Sequence, residues 1–387
     1  MLPQVNSNHR LHEPFGGRMH FLFLDTSGID YDPETPLQQP LGGTQSAIAY
    51  LSEELVKAGA TVTLMNNPSR ERVVKGVRLV ESSTIGREGF GQFDIVVVVS
   101  VALGIKFRQV VPKHIPMVLY CHHAADQVSV STLRNAEERA VWDAFVMVSH
   151  WQVNDYAAAF GLNPTRAAVI GNAVSPAFLE RPLQPAWFEI GAEPVLTYTS
   201  TPFRGLDILL LAFPSIRARL SGAELKIFSG IKIYTADAQN DPNAYLYEVA
   251  RSLSGVTYHD SVSQKKLADV MGNAAALTYP STFAETFCIA AVEALASGAE
   301  VLTTRLGALP EVLNGLGQFM DMAPSYRQLA QNYIEFVSEA LAAMKRDPSA
   351  AATRRQERTD YVRTHFTWAR RAQQWLDLAG QLKGRKG

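Results

Sequence analysis

The sequence predicts an α/β fold in two halves, and three observations carry that expectation. Short apolar runs alternate with helical segments twice, once from Met19 to Ser149 and again from Val195 to Thr304. Some of these runs, such as IVVVV at Ile95 to Val99, are apolar at every position, as strands covered on both faces of a parallel sheet are. Between the two series lies RPLQPAWFEIGAEP, Arg181 to Pro194, whose prolines mark a linker. Two such halves leave a cleft between them, a natural place for a two-substrate enzyme to bind and exclude water.

Bulk properties agree and narrow the classes. A chain of 387 residues suits two domains, and its apolar fraction of 47% is that of a globular protein. The net charge of -1 comes from acids and bases mixed along the chain, with no basic tract, so no nucleic-acid partner is expected. The longest apolar run, Ile95 to Ile105, is well short of the roughly 20 residues of a membrane helix. No integral membrane segment is therefore expected, and peripheral membrane contact is left open. Cys121 and Cys288 stand in unrelated contexts, which fits a reducing cytoplasm rather than a disulfide framework.

In chain order, residues 1–18 read as a loose polar extension and 19–180 as the first domain. Its first strand begins at Met19. After a loop with Asp30, Asp32 and Glu34, Gly42-Gly43 opens an amphipathic helix from Gln45 to Lys57, ended by Gly59. Strand, glycine turn and helix is a layout that cradles phosphate, although Gly-Gly before a helix is more often only a tight turn. Further strands are expected at Thr61 to Met65, Ile95 to Val99, Met117 to Cys121 and Phe145 to Ser149. Strand ends carry Asp25, His122-His123 and Ser149-His150, where open α/β sheets collect functional residues. The adjacent histidines lack partners at metal-ligand spacing, so no metal site is expected. Residues 181–194 are the linker, 195–365 the second domain, and 366–387 a C-terminal helix with an apolar stripe of Trp368, Ala372, Trp375, Leu376 and Leu378.

The second domain runs through strand Val195 to Thr199, loop Ser200 to Arg204, helix Gly205 to Arg219, strand Leu225 to Ser229 and helix Ser263 to Met271. It leads to the stretch TYPSTFAETFCIAAVEALASGAEVLTTRLGALPE, a strand, loop, helix, strand unit. Here Ala275 to Tyr279 is a strand, Phe287 to Ser297 a helix capped by Gly298, and Val301 to Thr304 the next strand. Glu285 falls at the loop-to-helix junction, and Glu293 is the only charge in its helix. An acid among Ile289, Ala290 and Ala296 needs a polar partner, because burying it unpaired costs several kcal/mol. A hydroxylated ligand would serve.

On these residues the chain resembles the retaining, GT-B-type glycosyltransferases of family 4. The family's E-x7-E element is matched by Glu285 and Glu293 inside PSTFAETFCIAAVEALASG, and its glycine-Pro-Glu loop by Gly307 to Glu311. The N-terminal Gly-Gly loop matches Gly42-Gly43, the strand-end histidine His122, the V-x-V-S strand end Val146 to Ser149, and the I-x-N element Ile170 to Asn172. The similarity spans Met19 to about Leu382. It implies two Rossmann-like domains facing across a cleft, with the C-terminal helix crossing back to the N-terminal domain.

It also implies sugar transfer from a nucleotide diphosphate sugar to a hydroxyl acceptor, with retention, no metal and no cofactor, in bacterial-type glycan or glycoconjugate synthesis such as polysaccharide biosynthesis. Glu293 would hold the ribose hydroxyls, and Glu285 would face the donor sugar or its diphosphate. Amides of Phe287, Cys288 and Ile289 would receive the diphosphate at a helix start. Arg204 would neutralise the leaving group, with Gly42 and Gly43 nearby, and His122 would reach the sugar from the other domain. The chain departs from the family twice. Tyr198-Thr199-Ser200 stands where relatives carry a second basic residue, which leaves Arg204 with hydroxyl donors such as Ser200, and Cys288 replaces a glycine. The first departure motivates a second hypothesis, a catalytically weak nucleotide-sugar-binding subunit of a glycan-assembly complex, and a sugar-nucleotide epimerase is a third. Loops Gly28 to Pro40 and Gly230 to Asn243 are the expected seats of specificity.

Overall fold

Parallel pairing dominates both halves of the computed structural model, which describes residues 18–231 and 241–385. The expected N-terminal extension, apart from Arg18, and most of the Gly230 to Asn243 loop lie outside the described residues. The first half contains β1 (His20–Leu24), β2 (Thr61–Met65), β3 (Arg72–Val74), β4 (Val77–Val80), β5 (Ile95–Val99), β6 (Met117–Cys121), β7 (Ala144–Met147) and β8 (Ala167–Val169). They form one sheet in the order β3-β4-β2-β1-β5-β6-β7-β8, parallel throughout except for β3 against β4. That hairpin escaped the sequence reading. Its sequence signal was Gly76 between the apolar runs Val73-Val74 and Val77; in the structure Lys75 and Gly76 both have positive φ, 46° and 81°, the geometry of a tight hairpin turn.

The second half contains β9 (Val195–Tyr198), β10 (Glu224–Phe228), β11 (Val256–His259), β12 (Ala276–Tyr279), β13 (Glu300–Thr304) and β14 (Gln318–Met320). Their order is β11-β10-β9-β12-β13-β14, all parallel. In each sheet the first strand has a later strand on one side and the chain's return on the other. The order therefore reverses between β1 and β5, and between β9 and β12, and ligands of open α/β sheets bind outside such reversal points. β8, β11 and β14 were also unforeseen, being only three or four residues long and half-buried.

The C-terminal helix, Trp368–Gly384, leaves the second half and packs on the first. Trp375, fully buried, meets Phe23 of β1 at 6.2 Å and Tyr120 of β6 at 5.0 Å between ring centroids. Its expected apolar stripe is thus spent on the sheet of the other half. The chain crosses between the halves in neighbouring places, since the Val174 amide donates to the Phe366 carbonyl at 2.9 Å. Two Rossmann-like domains, closed by a helix that crosses back, is the architecture the sequence led us to expect.

Candidate functional site

The loops after β9 and β12, on either side of the second sheet's reversal point, build one wall of the interdomain cleft. Gly205, at φ +106°, ends the first loop so close to the second that a Cβ there would stand 2.1 Å from the Pro280 carbonyl oxygen. This contact fixes Arg204 beside Glu285, whose Oε1 accepts from Arg204 Nη1 at 2.9 Å and from the Tyr279 hydroxyl. Glu285 is buried, and the guanidinium also lies 4.4 Å from the centroid of the Phe283 ring. Ser200 belongs to the same set, its hydroxyl donating to Tyr279 Oη at 3.4 Å.

The loop then turns sharply into a helix. Cys288 has φ +74°, so the helix starts at Ile289 and runs to Ala296, rather than from Phe287 to Ser297 as its composition suggested. A non-glycine residue in the left-handed region is strained by roughly 1–3 kcal/mol, and such strain collects at functional turns. Phe287 is sealed in the seam between domains, where a Cβ added to Gly171 would stand 2.8 Å from its ring. The backbone of Phe287 to Ile289 therefore forms the turn at the start of the helix.

Glu293 lies one turn further on, 3% exposed. Its Oε1 accepts one long hydrogen bond, 3.4 Å, from the amide of Ser175 in the other domain. Burial pushes its carboxyl up to about 8, only partly opposed by that amide. At neutral pH the group is largely protonated, as a carboxyl without a cation must be when desolvated.

His122 stands on the opposite wall, at the end of β6. Its backbone amide donates to Ser100 Oγ at 3.1 Å, and its Nε2 donates to Asn172 Oδ1 at 3.2 Å. Nδ1 is buried and has no partner among the described residues. Burial, with His123 next in order, pushes the ring down to about 3, so the imidazole is neutral. The His122 carbonyl accepts from the Thr286 hydroxyl at 2.8 Å, a direct bond between the walls. Gly43 lies opposite Ile289, with 3.6 Å between a built Cβ and Ile289 Cδ1. Gly42 caps the Gly43–Lys57 helix at φ -65°, so its backbone conformation does not itself require glycine.

The space between the walls measures about 520 Å³, and it is lined by Gly43, His122, Ser200, Arg204, Glu285, Phe287, Cys288, Ile289 and Glu293. Of the expected site residues only Gly42 is not in its lining. The sequence reading missed Tyr279, which bonds Glu285, and Tyr50, whose hydroxyl accepts from Ser175 Oγ at 2.8 Å beside Glu293. The strand-end position of Tyr279 was a signal that its residue type masked, since tyrosine there reads as core, and Tyr50 inside an amphipathic helix carried none. Among the described residues no cluster of histidine, cysteine or acid side chains could hold a metal ion. No helix among them is long and apolar enough to cross a membrane.

Two facing Rossmann-like domains with a cleft at their reversal points define the GT-B class of fold. Residues 193–339 match the family described as glycosyl transferases group 1. No curated protein matches in sequence. Among solved structures the chain is similar to a sucrose-phosphate synthase from Thermosynechococcus elongatus, at 17% identity and a TM-score of 0.69, over 95% of this chain and 100% of that one. A glycosyltransferase from Rickettsia africae gives 13% and 0.68, over 94% and 98%. HepE from Anabaena, in complex with UDP-glucose, gives 15% and 0.65, over 94% and 100%. The family match lies in the second half of the chain, and the likeness to solved structures shows the GT-B fold over nearly its whole length.

Proposed function

We propose that the chain is a retaining, metal-independent glycosyltransferase that moves a sugar from a nucleoside diphosphate sugar to a hydroxyl acceptor, in cytoplasmic glycan or glycoconjugate synthesis. The observation that carries this reading is Glu293, a buried carboxyl in the cleft wall whose one donor among the described residues is a backbone amide at 3.4 Å. The two vicinal hydroxyls of a ribose would supply the missing hydrogen bonds. From there the diphosphate reaches the turn at Cys288 and Ile289, with Arg204 beside it. Arg204 and the helix-start amides stabilise the leaving diphosphate as the bond from the anomeric carbon to the phosphate oxygen breaks. The acceptor hydroxyl then bonds to the same carbon and passes its proton to the departing diphosphate. Neutral His122 offers its Nδ1 as an acceptor for a sugar hydroxyl without adding charge.

HepE suggests a uridine nucleotide as the first donor to try. Incubation of nucleotide sugars with an acceptor panel should release nucleoside diphosphate only when an acceptor is present. NMR of the product should show the donor's anomeric configuration, and an inverted linkage would sink the retaining assignment. One observation favours a second reading as a donor-binding subunit. Arg204 is already bonded to Glu285, and Thr199 and Ser200 stand where a second cation would help. Tight nucleotide binding with no release across the panel would establish it.

A further inference from the structure

The turn from Gly307 to Glu311 touches both walls. The Ala308 amide donates to the Glu285 carbonyl at 2.7 Å. Gly307, at φ +60°, lies so near that a Cβ would stand 2.6 Å from the Glu285 amide nitrogen and carbonyl oxygen. Three residues after Ala308 the same segment reaches across to the other domain. The Glu311 carboxylate accepts from the backbone amides of His150 and Trp151, both at 2.7 Å. These are the first two amides of the His150–Phe160 helix, and no amide within a helix's own first turn finds a carbonyl partner inside it. The helix's own cap, Ser149, serves only Gln152, at 3.1 Å. A carboxylate of one domain thus completes the cap of a helix in the other, against the positive end of its dipole.

That helix props the wall that carries His122. Gln152 Nε2 donates to the carbonyls of Cys121 at 3.1 Å and His123 at 2.8 Å, and the Tyr156 hydroxyl donates to the His123 carbonyl at 2.9 Å. Asp155 Oδ2 accepts from the Ala125 amide at 2.8 Å. A chain of bonded contacts therefore runs from the Glu285 backbone, through Glu311 and the helix, to the strand end on which His122 stands. Glu311 itself does not line the cleft.

We propose that Glu311 is a positioning residue, which by capping the His150–Phe160 helix from the opposite domain holds the His122 wall in register with the Glu285 wall. The kinetic part rests on the transferase reading above; the structural part does not. Two variants remove the contact from opposite sides. Glu311→Ala deletes the acceptor. His150→Pro deletes one donor at the first helical position, where proline suits the helix and its missing N–H leaves the rest of the ladder intact. Either should lower kcat by about tenfold to hundredfold, the scale on which misplaced reacting groups slow a reaction. The dissociation constant for UDP, GDP or ADP, whichever binds the wild type, should stay within about threefold, because Glu293, Arg204 and the turn at Cys288, the groups assigned to the ribose and diphosphate, all stand on the C-terminal wall. Glu311→Gln should fall between, keeping an acceptor but losing the charge. In Glu311→Ala the Trp151 amide should exchange hydrogen faster and the radius of gyration should grow.

Unchanged kcat in both variants overturns the proposal, as does a parallel loss of kcat and nucleotide affinity, which would mark a general structural defect. A wild type that transfers no sugar sinks the transferase reading instead. The latch is then judged alone, and unaltered Trp151 exchange with an unaltered radius of gyration in Glu311→Ala overturns it.

Discussion

The two walls of the cleft grow from the same α/β pattern and are held by different forces. On the C-terminal side Arg204, Glu285 and Tyr279 are joined by charge and hydrogen bonds, and Glu293 is buried with no cation beside it among the described residues. Among the described residues the N-terminal side contributes no acid, lysine or arginine to the lining. There His122 rests 4.4 Å from the Tyr120 ring, which in turn packs on Trp375 of the crossing helix. One wall is built around charges that a charged donor can engage; the other is built from shape, a neutral ring and hydroxyl groups.

If that division holds, damage to packing and damage to charge have separate consequences. Trp375→Ala should cost about 3–5 kcal/mol of stability in denaturant unfolding, the usual scale for a buried tryptophan. The nucleotide affinity of the protein that remains folded should be unchanged, and a parallel loss would break the comparison. Arg204→Ala should leave stability less affected and lower kcat by about 10²–10³-fold, as loss of one preorganised charge does. Adding Glu285→Gln to it should cost less than the two single losses combined, because the residues act as one bonded pair.

Acidity separates the walls further. The Glu293 carboxyl keeps its proton up to about 8 in the folded chain, against an ordinary value of 4.5. The folded state thus binds more protons than the unfolded state in that window, and stability falls as pH rises through it. Binding a ribose to the carboxylate expels the proton, so affinity should rise by about tenfold per pH unit below 8 and then level off. Glu293→Gln should remove both slopes in calorimetry and thermal unfolding. His122 gives the smallest effect. Its ring is neutral above about 3, so the rate profile should show no ionisation of this group near neutral pH. Its folded value lies below the ordinary 6.5, so its stability contribution is lost as pH falls from 6.5 toward 3, and His122→Asn should resist acid better.

Much of this was legible in the sequence. Continuous apolar runs located most of the long central strands, and the family resemblance carried by Glu285 and Glu293 implied that both acids serve one site, where the structure lines the cleft with them. Edge strands such as β8 and β14 were not legible, because three residues with half-buried side chains carry no periodicity. The start of the Ile289–Ala296 helix was misjudged, since composition does not reveal that Cys288 turns left-handed. Partnerships across long separations were invisible too. Nothing in residues 307–311 says that Glu311 reaches His150, a contact made only once two domains have folded and met.

The central claim is that the charged wall holds the ribose and diphosphate of a nucleotide sugar. Calorimetric titration of UDP, GDP and ADP into the wild type and into Glu293→Ala tests it most directly. At least one nucleotide should bind the wild type and weaken by about tenfold or more in the variant, the loss expected when a buried hydrogen-bonding partner is removed. Equal affinity in both proteins, or no binding of any nucleotide to the wild type, would contradict it.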